Sequence, residues 1–212
     1  MDGFGMQEIS VAELINMMKK GERITPEELT YWELREDRTY FIDYEINEMY
    51  DLIELSKVIV QMNIKEKDIP KEELKPIYIF IHTFGGDVYQ SAIFSDILLA
   101  SRIPIVTVAM GATMSAGFDI FLAGSKRYCF EHSQLLLHAG YNSLSGTAGE
   151  IEEAQKNYKK QLEESKQYIL SRTTMPEKDF NKHKKDDWYL TIDEVKKYNI
   201  ATVVSSFDEI FS

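Results

Sequence analysis

Two uninterrupted apolar runs, Ile77-Tyr-Ile-Phe-Ile81 and Ile105-Val-Thr-Val-Ala109, constrain this chain more than any other feature. A strand with one wet face alternates apolar and polar residues, so a run without alternation belongs to a strand covered on both faces. Each run leads into a glycine-bearing turn, Thr83-Phe-Gly-Gly86 and Gly111-Ala-Thr-Met-Ser-Ala-Gly117. Helical stretches follow, one capped by Asp87 and reaching about Arg102, the other ending near Leu122. Buried strands alternating with helices make a parallel α/β sheet with right-handed crossovers. Further strands are expected at Thr39–Ile42, Tyr128–Phe130, Gln134–His138 and Ala201–Ser205.

Helical periodicity predicts a helix over about Asn47–Met62 and another capped by Thr191-Ile-Asp-Glu194, with the lysine- and glutamate-rich Asn63–Lys75 read as a solvated loop. Ahead of these, Ser10-Val-Ala-Glu13 and Thr25-Pro-Glu-Glu28 have the form of capping boxes, each opening a short helix. The chain is therefore expected to divide into an N-terminal helical segment, 1–38, and one larger domain, 39–212. Thr147–Ser171 predicts a single long helix whose apolar stripe is narrow: Ile151, Ala154, Tyr158, Leu162 and Ile169. The rest of its surface is Glu, Lys and Gln, too polar for a core helix. It suits a helix that projects or packs against another subunit.

Composition excludes several classes. Asp and Glu outnumber Lys and Arg by 35 to 24, a formal charge of −11. Such a surface repels phosphate backbones and anionic lipid, arguing against nucleic acid and membrane as partners. Cys129 stands alone, and His82, His132, His138 and His183 lack ligand spacing, so neither a disulfide nor a metal site is expected. The start of the chain lacks a basic and then apolar leader, and the uncharged stretch Ile103–Phe118 is too short to span a bilayer. A cytoplasmic protein without a cofactor of its own is the expectation.

In parallel α/β sheets, ligands gather beyond the carboxyl ends of the strands. Three candidates fall there: the Gly85-Gly86 turn, Ser115 at the head of a helix, and His138 at the end of a strand. A serine at a helix start among Gly and Ala is accessible, and the helix N-terminus beside it can stabilise an oxyanion. Each candidate also has a plainer explanation. Serine at a helix start commonly caps it, and the esterase elbow G-x-S-x-G is broken by Thr113. His138 can be a satisfied structural histidine, Gly85-Gly86 only a turn, and Asp186-Asp187 a solvated helix end.

The order of these segments resembles the ClpP serine peptidases. Tyr78-Ile-Phe-Ile-His-Thr-Phe-Gly-Gly86 is similar to that family's strand and double-glycine turn. Ile105–Gly117 resembles its nucleophile segment, and Phe121–His138 the segment that ends in its histidine. Asp187-Trp-Tyr-Leu-Thr191, followed by Glu194-Val-Lys-Lys-Tyr-Asn199, resembles the part carrying its acid. The resemblance covers about Ile77–Ser205, and more loosely Arg38–Met62. Thr83-Phe84 stands where the family usually has Ser-Pro, and Ala139-Gly140 where it has Gln-Pro.

The resemblance implies a ClpP/crotonase-like fold of βαβ units with Thr147–Ser171 as a projecting handle helix. It implies a serine endopeptidase acting on unfolded polypeptides, with Ser115 as nucleophile, His138 as base and Asp187, not Asp186, as the acid. It places the oxyanion donors at the backbone N–H groups of Gly86 and Ala116, and an extended substrate strand along Asp87 and Ala139, Gly140 and Tyr141. It implies a homo-oligomer of stacked rings fed by an AAA+ unfoldase, so that ATP enters only through that separate partner. A crotonase-like enzyme acting on acyl-CoA, or a catalytically idle ring subunit, would share the fold without needing the triad.

Overall fold

The computed structural model describes residues 11–21, 25–47, 49–140, 143 and 145–212. It divides into two compact units, residues 1–40 and 41–212, with the boundary inside strand β1 (Thr39–Ile42). The first unit holds α1 (Val11–Lys19) and α2 (Pro26–Glu36). At the start of α2 the Glu28 N–H donates to Thr25 Oγ1, and the Thr25 N–H donates to Glu28 Oε2 at 2.8 Å. That reciprocal pair satisfies two of the helix's orphan donors, with Pro26 losing nothing at the first helical position. The matching box at Ser10–Glu13 lies outside the described residues.

The second unit is the sheet and its helices. In chain order it contains α3 (Met49–Lys65), β2 (Ile77–Thr83), α4 (Val88–Ala100), β3 (Ile105–Met114), α5 (Ala116–Leu122) and β4 (Lys126–Phe130). There follow β5 (Gln134–Leu137), α6 (Ala148–Arg172), α7 (Glu177–His183), β6 (Trp188–Leu190), α8 (Ile192–Lys197), β7 (Thr202–Val204) and α9 (Asp208–Phe211). The sheet runs β1-β2-β3-β4-β7, with β5 added to β3 and β6 to β5. The ladders of β2 with β3, β3 with β4, β3 with β5 and β4 with β7 are parallel, and that of β5 with β6 is antiparallel. This is the α/β class expected from the apolar runs.

Those runs are buried as two-sided coverage requires: Ile77, Ile79 and Ile81 of β2 and Val108 and Ala109 of β3 are fully or almost fully enclosed. Each large aliphatic side chain so enclosed is worth roughly 1.5–3 kcal/mol relative to exposure. Buried hydroxyls in the same layer are satisfied locally. Thr107 Oγ1 donates to the Phe121 carbonyl at 2.8 Å, and Thr113 Oγ1 to the Ile81 carbonyl at 2.9 Å.

The second strand differs from its expectation. A turn was expected from Gly111, yet β3 continues to Met114 because it changes partners midway. Val106 to Ala109 pair with β4, and Ala112 to Met114 pair with β5. The β2 ladder is irregular between Ile81 and Thr83, and there His82 Nδ1 accepts the Ala112 N–H at 3.0 Å. The expected loop after α3 is also more ordered. Asn63 remains helical and its Oδ1 accepts the Arg102 N–H at 2.9 Å. The Arg102 guanidinium reaches back to the carbonyls of Glu66 and Ile69.

Candidate active site

β3 ends at Met114, and the next residue, Ser115, holds φ 53 and ψ −124. A positive φ at a residue with a Cβ costs of order 1–3 kcal/mol and persists only when the surroundings impose it. They do. The Ser115 N–H donates to the Leu136 carbonyl at 3.0 Å, and its carbonyl accepts the N–H groups of Phe118 and Asp119 at 2.8 and 3.2 Å. The serine starts α5 without capping it, since its side chain makes no cap hydrogen bond. Its Oγ instead lies 2.7 Å from His138 Nε2.

The histidine is aimed by strand pairing. In the β5–β6 ladder Leu135 faces Leu190, Leu136 faces Tyr189 and Leu137 faces Trp188. Extending that register by one residue places His138 opposite Asp187. His138 Nδ1 donates to Asp187 Oδ1 at 3.1 Å, with the imidazole mostly buried (13% exposed) and the carboxylate about half exposed (48%). With Nδ1–H held by the acid, Nε2 faces Ser115 Oγ as the acceptor. Successive residues alternate sides of a strand, so a slip of one would send the acid away. Asp186 turns elsewhere: its carboxylate lies 3.8 Å from His183 Nδ1, and its N–H donates to the His183 carbonyl.

The double-glycine turn sits against this group. A Cβ on Gly85 would lie 2.8 Å from Ser115 Cβ, and one on Gly86 would lie 2.3 Å from the Ile46 carbonyl oxygen. Both glycines have positive φ, 106 and 143. Close approach and conformation together require glycine at these two places. Asp87 caps α4 and pins the turn: its carboxylate accepts the Gln90 N–H at 2.8 Å and its own N–H donates to the Ile46 carbonyl at 2.6 Å. A cleft of about 520 Å³ runs past Ser115, His138 and Asp187, walled by Gly86, Ala139, Gly140 and Tyr158 among others. Ala116 lines the adjoining cavity, whereas Asp87 lines neither and Tyr141 lies outside the described residues.

Two contributors were not singled out for this region from sequence. Tyr158 Oη donates to the Ala139 carbonyl at 2.9 Å, so the long helix braces the chain just after the histidine. Across the cleft Gln161 Nε2 donates to Tyr89 Oη at 3.0 Å. The available signal was Tyr158 itself, an aromatic with a polar tip in an otherwise aliphatic stripe. Cys129 lies fully buried in β4, and burial pushes its thiol up to about 11. Among the described residues no group of three or more His, Cys, Asp or Glu is placed to hold a metal ion. No helix among them is long and apolar enough to cross a membrane.

Comparison with known proteins points the same way. The chain is 26% identical over 194 residues to ATP-dependent Clp protease proteolytic subunit 1 of Bacillus cereus, covering 91% of this chain and 95% of that one. It is 30% identical over 154 residues to proteolytic subunit 2 of Treponema denticola, covering 72% and 76% respectively. Subunit 3 of Rhodococcus jostii is 29% identical over 139 residues, 64% of this chain and 69% of that relative. The Clp protease family profile matches residues 23–206, which takes in the sheet, the double-glycine turn and the long helix alike. With a match of that extent, the chain belongs to the Clp protease family.

Proposed function

We propose that this chain is a serine endopeptidase that cleaves unfolded polypeptides through Ser115, His138 and Asp187. The observation carrying the reading is the continuous contact from Ser115 Oγ to His138 Nε2 and from His138 Nδ1 to Asp187. His138 removes the Ser115 proton as Oγ attacks the scissile carbonyl, then returns it to the departing amine. Asp187 fixes the ring and stabilises its charged form. The N–H groups of Gly86 and Ala116 receive the developing oxyanion, a role for which removal of one donor costs about 10²- to 10³-fold. Substrate lies extended along the chain at Gly86 and Ala139–Gly140, and main-chain pairing of this kind carries little sequence information.

The polar surface of α6 supports assembly into rings that enclose the site. The names of the relatives, ATP-dependent protease subunits, support an ATP-driven unfoldase as the source of substrate. Cleavage of a fluorogenic peptide by the purified protein, its loss in Ser115→Ala, and fluorophosphonate labelling of Ser115 together test the reading. Acyl-CoA turnover without labelling would overturn it in favour of crotonase-like chemistry. Assembly with neither hydrolysis nor labelling would leave an idle ring subunit.

A further inference from the structure

Tyr158 and Gln161 stand three positions apart on one face of α6, and both border the cleft at Ser115. They reach opposite walls of it. Tyr158 Oη donates to the Ala139 carbonyl at 2.9 Å, and the Gly140 carbonyl lies 3.5 Å from the same hydroxyl. Gln161 Nε2 donates to Tyr89 Oη at 3.0 Å, and Tyr89 sits in the first turn of α4, directly after the Gly85-Gly86 turn. A phenol both donates and accepts, so either orientation of the amide keeps that bond. One short stretch of one helix therefore ties down the two chain segments between which an extended substrate would lie.

Both segments need the restraint. The chain has left the β5 ladder by Leu137, so Ala139 and Gly140 run beyond the sheet. Gly140 holds φ 77, and a Cβ on it would meet no atom within 4 Å among the described residues. Space does not demand glycine there, and glycine leaves the backbone its widest freedom. On the facing wall the Tyr89 side chain is 61% exposed, too little covered for packing to fix it. The catalytic groups are held otherwise: Ser115 by the Leu136 carbonyl, and His138 beside Asp187 by the β5–β6 ladder. None of those contacts uses α6.

We infer that Tyr158 and Gln161 are positioning residues, which together set the separation of the Ala139–Gly140 wall from the start of α4 and so fit the cleft to an extended peptide backbone. This role rests on the peptidase reading above and adds to it the residues that govern main-chain binding. A wall ordered in advance spares the substrate the cost of ordering it. The benefit grows with the length of peptide that lies along the walls, and it belongs to binding more than to the chemical step.

The test uses the intact protein with a dipeptide and a hexapeptide fluorogenic substrate, in Tyr158→Phe, Gln161→Met and the double variant. Each single change removes one neutral hydrogen bond and should raise KM for the hexapeptide by about 3- to 10-fold, with the loss in KM rather than kcat. The dipeptide should lose less. Fluorophosphonate labelling of Ser115, which needs no extended strand, should slow less than hexapeptide kcat/KM falls. One separation is lost when either end lets go, so the double variant should resemble the weaker single one instead of multiplying the two effects. Equal losses on both peptides, losses confined to kcat, multiplying effects or no loss at all would overturn the assignment while leaving the peptidase reading standing. So would smaller assemblies of the variants by light scattering, which would give these side chains to a subunit contact. Hydrolysis of neither peptide by the unaltered protein, with no labelling of Ser115, would overturn the peptidase reading and this role with it.

Discussion

A strained serine, a half-exposed carboxylate and a buried thiol mark three different relations between a residue and its surroundings. Ser115 holds its positive φ because both sides of its peptide unit are hydrogen-bonded, so its hydroxyl is aimed before substrate arrives. Asp187 contacts His138, whereas Asp186 faces His183. In chymotrypsin-type enzymes, replacing the triad acid by its amide lowers kcat about 10⁴-fold by favouring the wrong tautomer. Asp187 is about half exposed, so water takes over part of its task. Asp187→Asn is therefore expected to lower kcat by about 10²- to 10³-fold with KM little changed, a smaller loss than a buried acid would give. Asp186→Asn should stay within about 2-fold, as for a surface charge worth under 1 kcal/mol. Steady-state kinetics on one short peptide separates them, and the reverse ranking would refute the ladder register. Cys129 is the contrasting case: enclosed and with its thiol near 11, it is neither accessible nor ionised at neutral pH. Cys129→Ala should retain peptide hydrolysis within about 3-fold, whereas complete loss with the assembly intact would argue against the serine mechanism.

At the scale of elements, α5 combines a positional task with an energetic penalty. Its Asp119 binds its proton more tightly folded than unfolded, at about 7 against 3.8. Both states are protonated well below 3.8, so no penalty exists there. It accumulates as pH rises from about 4, where the unfolded chain ionises, to about 7, where the folded one does, and is constant above. Each unit is roughly 1.4 kcal/mol, and water entering the cavity reduces the sum. Asp119→Asn should then stabilise the protein by about 1–2 kcal/mol more at pH 8.5 than at pH 4.5. Denaturant midpoints at the two pH values measure this, and a gain independent of pH would contradict the buried carboxyl.

The elements also show what the chain discloses before it folds. β2, the first half of β3 and α6 carry their signals locally, as unbroken apolar runs and a capping box at Thr147. β6 is three residues long and α7 is mostly charged, so neither has a period to detect. The continuation of β3 past Gly111 depends on β5, a partner no window around Gly111 contains. The site divides likewise. Ser115, His138 and Asp187 were legible through their order and flanking motifs, but the ladder that apposes the last two was not.

For the whole molecule the decisive element is α6, which buries only Ile169 among its described side chains. A helix of 25 residues with so little buried needs another surface to pack on, and further copies of the chain are the occupants expected from the family. Its N-terminal half offers Ile151 and Ala154 for that contact. Tyr158 is a poorer probe, because its hydroxyl already holds Ala139 and a change there would disturb the site directly. Replacing Ile151 and Ala154 together by Glu should reduce the assembly to smaller species and lower peptidase activity at least about 10-fold, since like charges brought together repel. Light scattering with peptide kinetics checks both, and a fully active monomer of the unaltered protein would remove the helix from any role in assembly.

The ladder joining His138 to Asp187 has a consequence in time. The two residues are 49 positions apart, and all of α6 and α7 is synthesised between them. Contacts across such a separation form only after the intervening chain exists and has closed its loop. A ribosome-bound chain that has emerged only through α6 thus carries the serine and the histidine but lacks the strand that orients the ring. On the proposed reading, full hydrolytic competence begins only once the chain through β6, which ends 22 residues before Ser212, has been made and β6 has docked. A nascent subunit at that stage is then held to the reduced activity expected when no carboxylate orients the His138 ring.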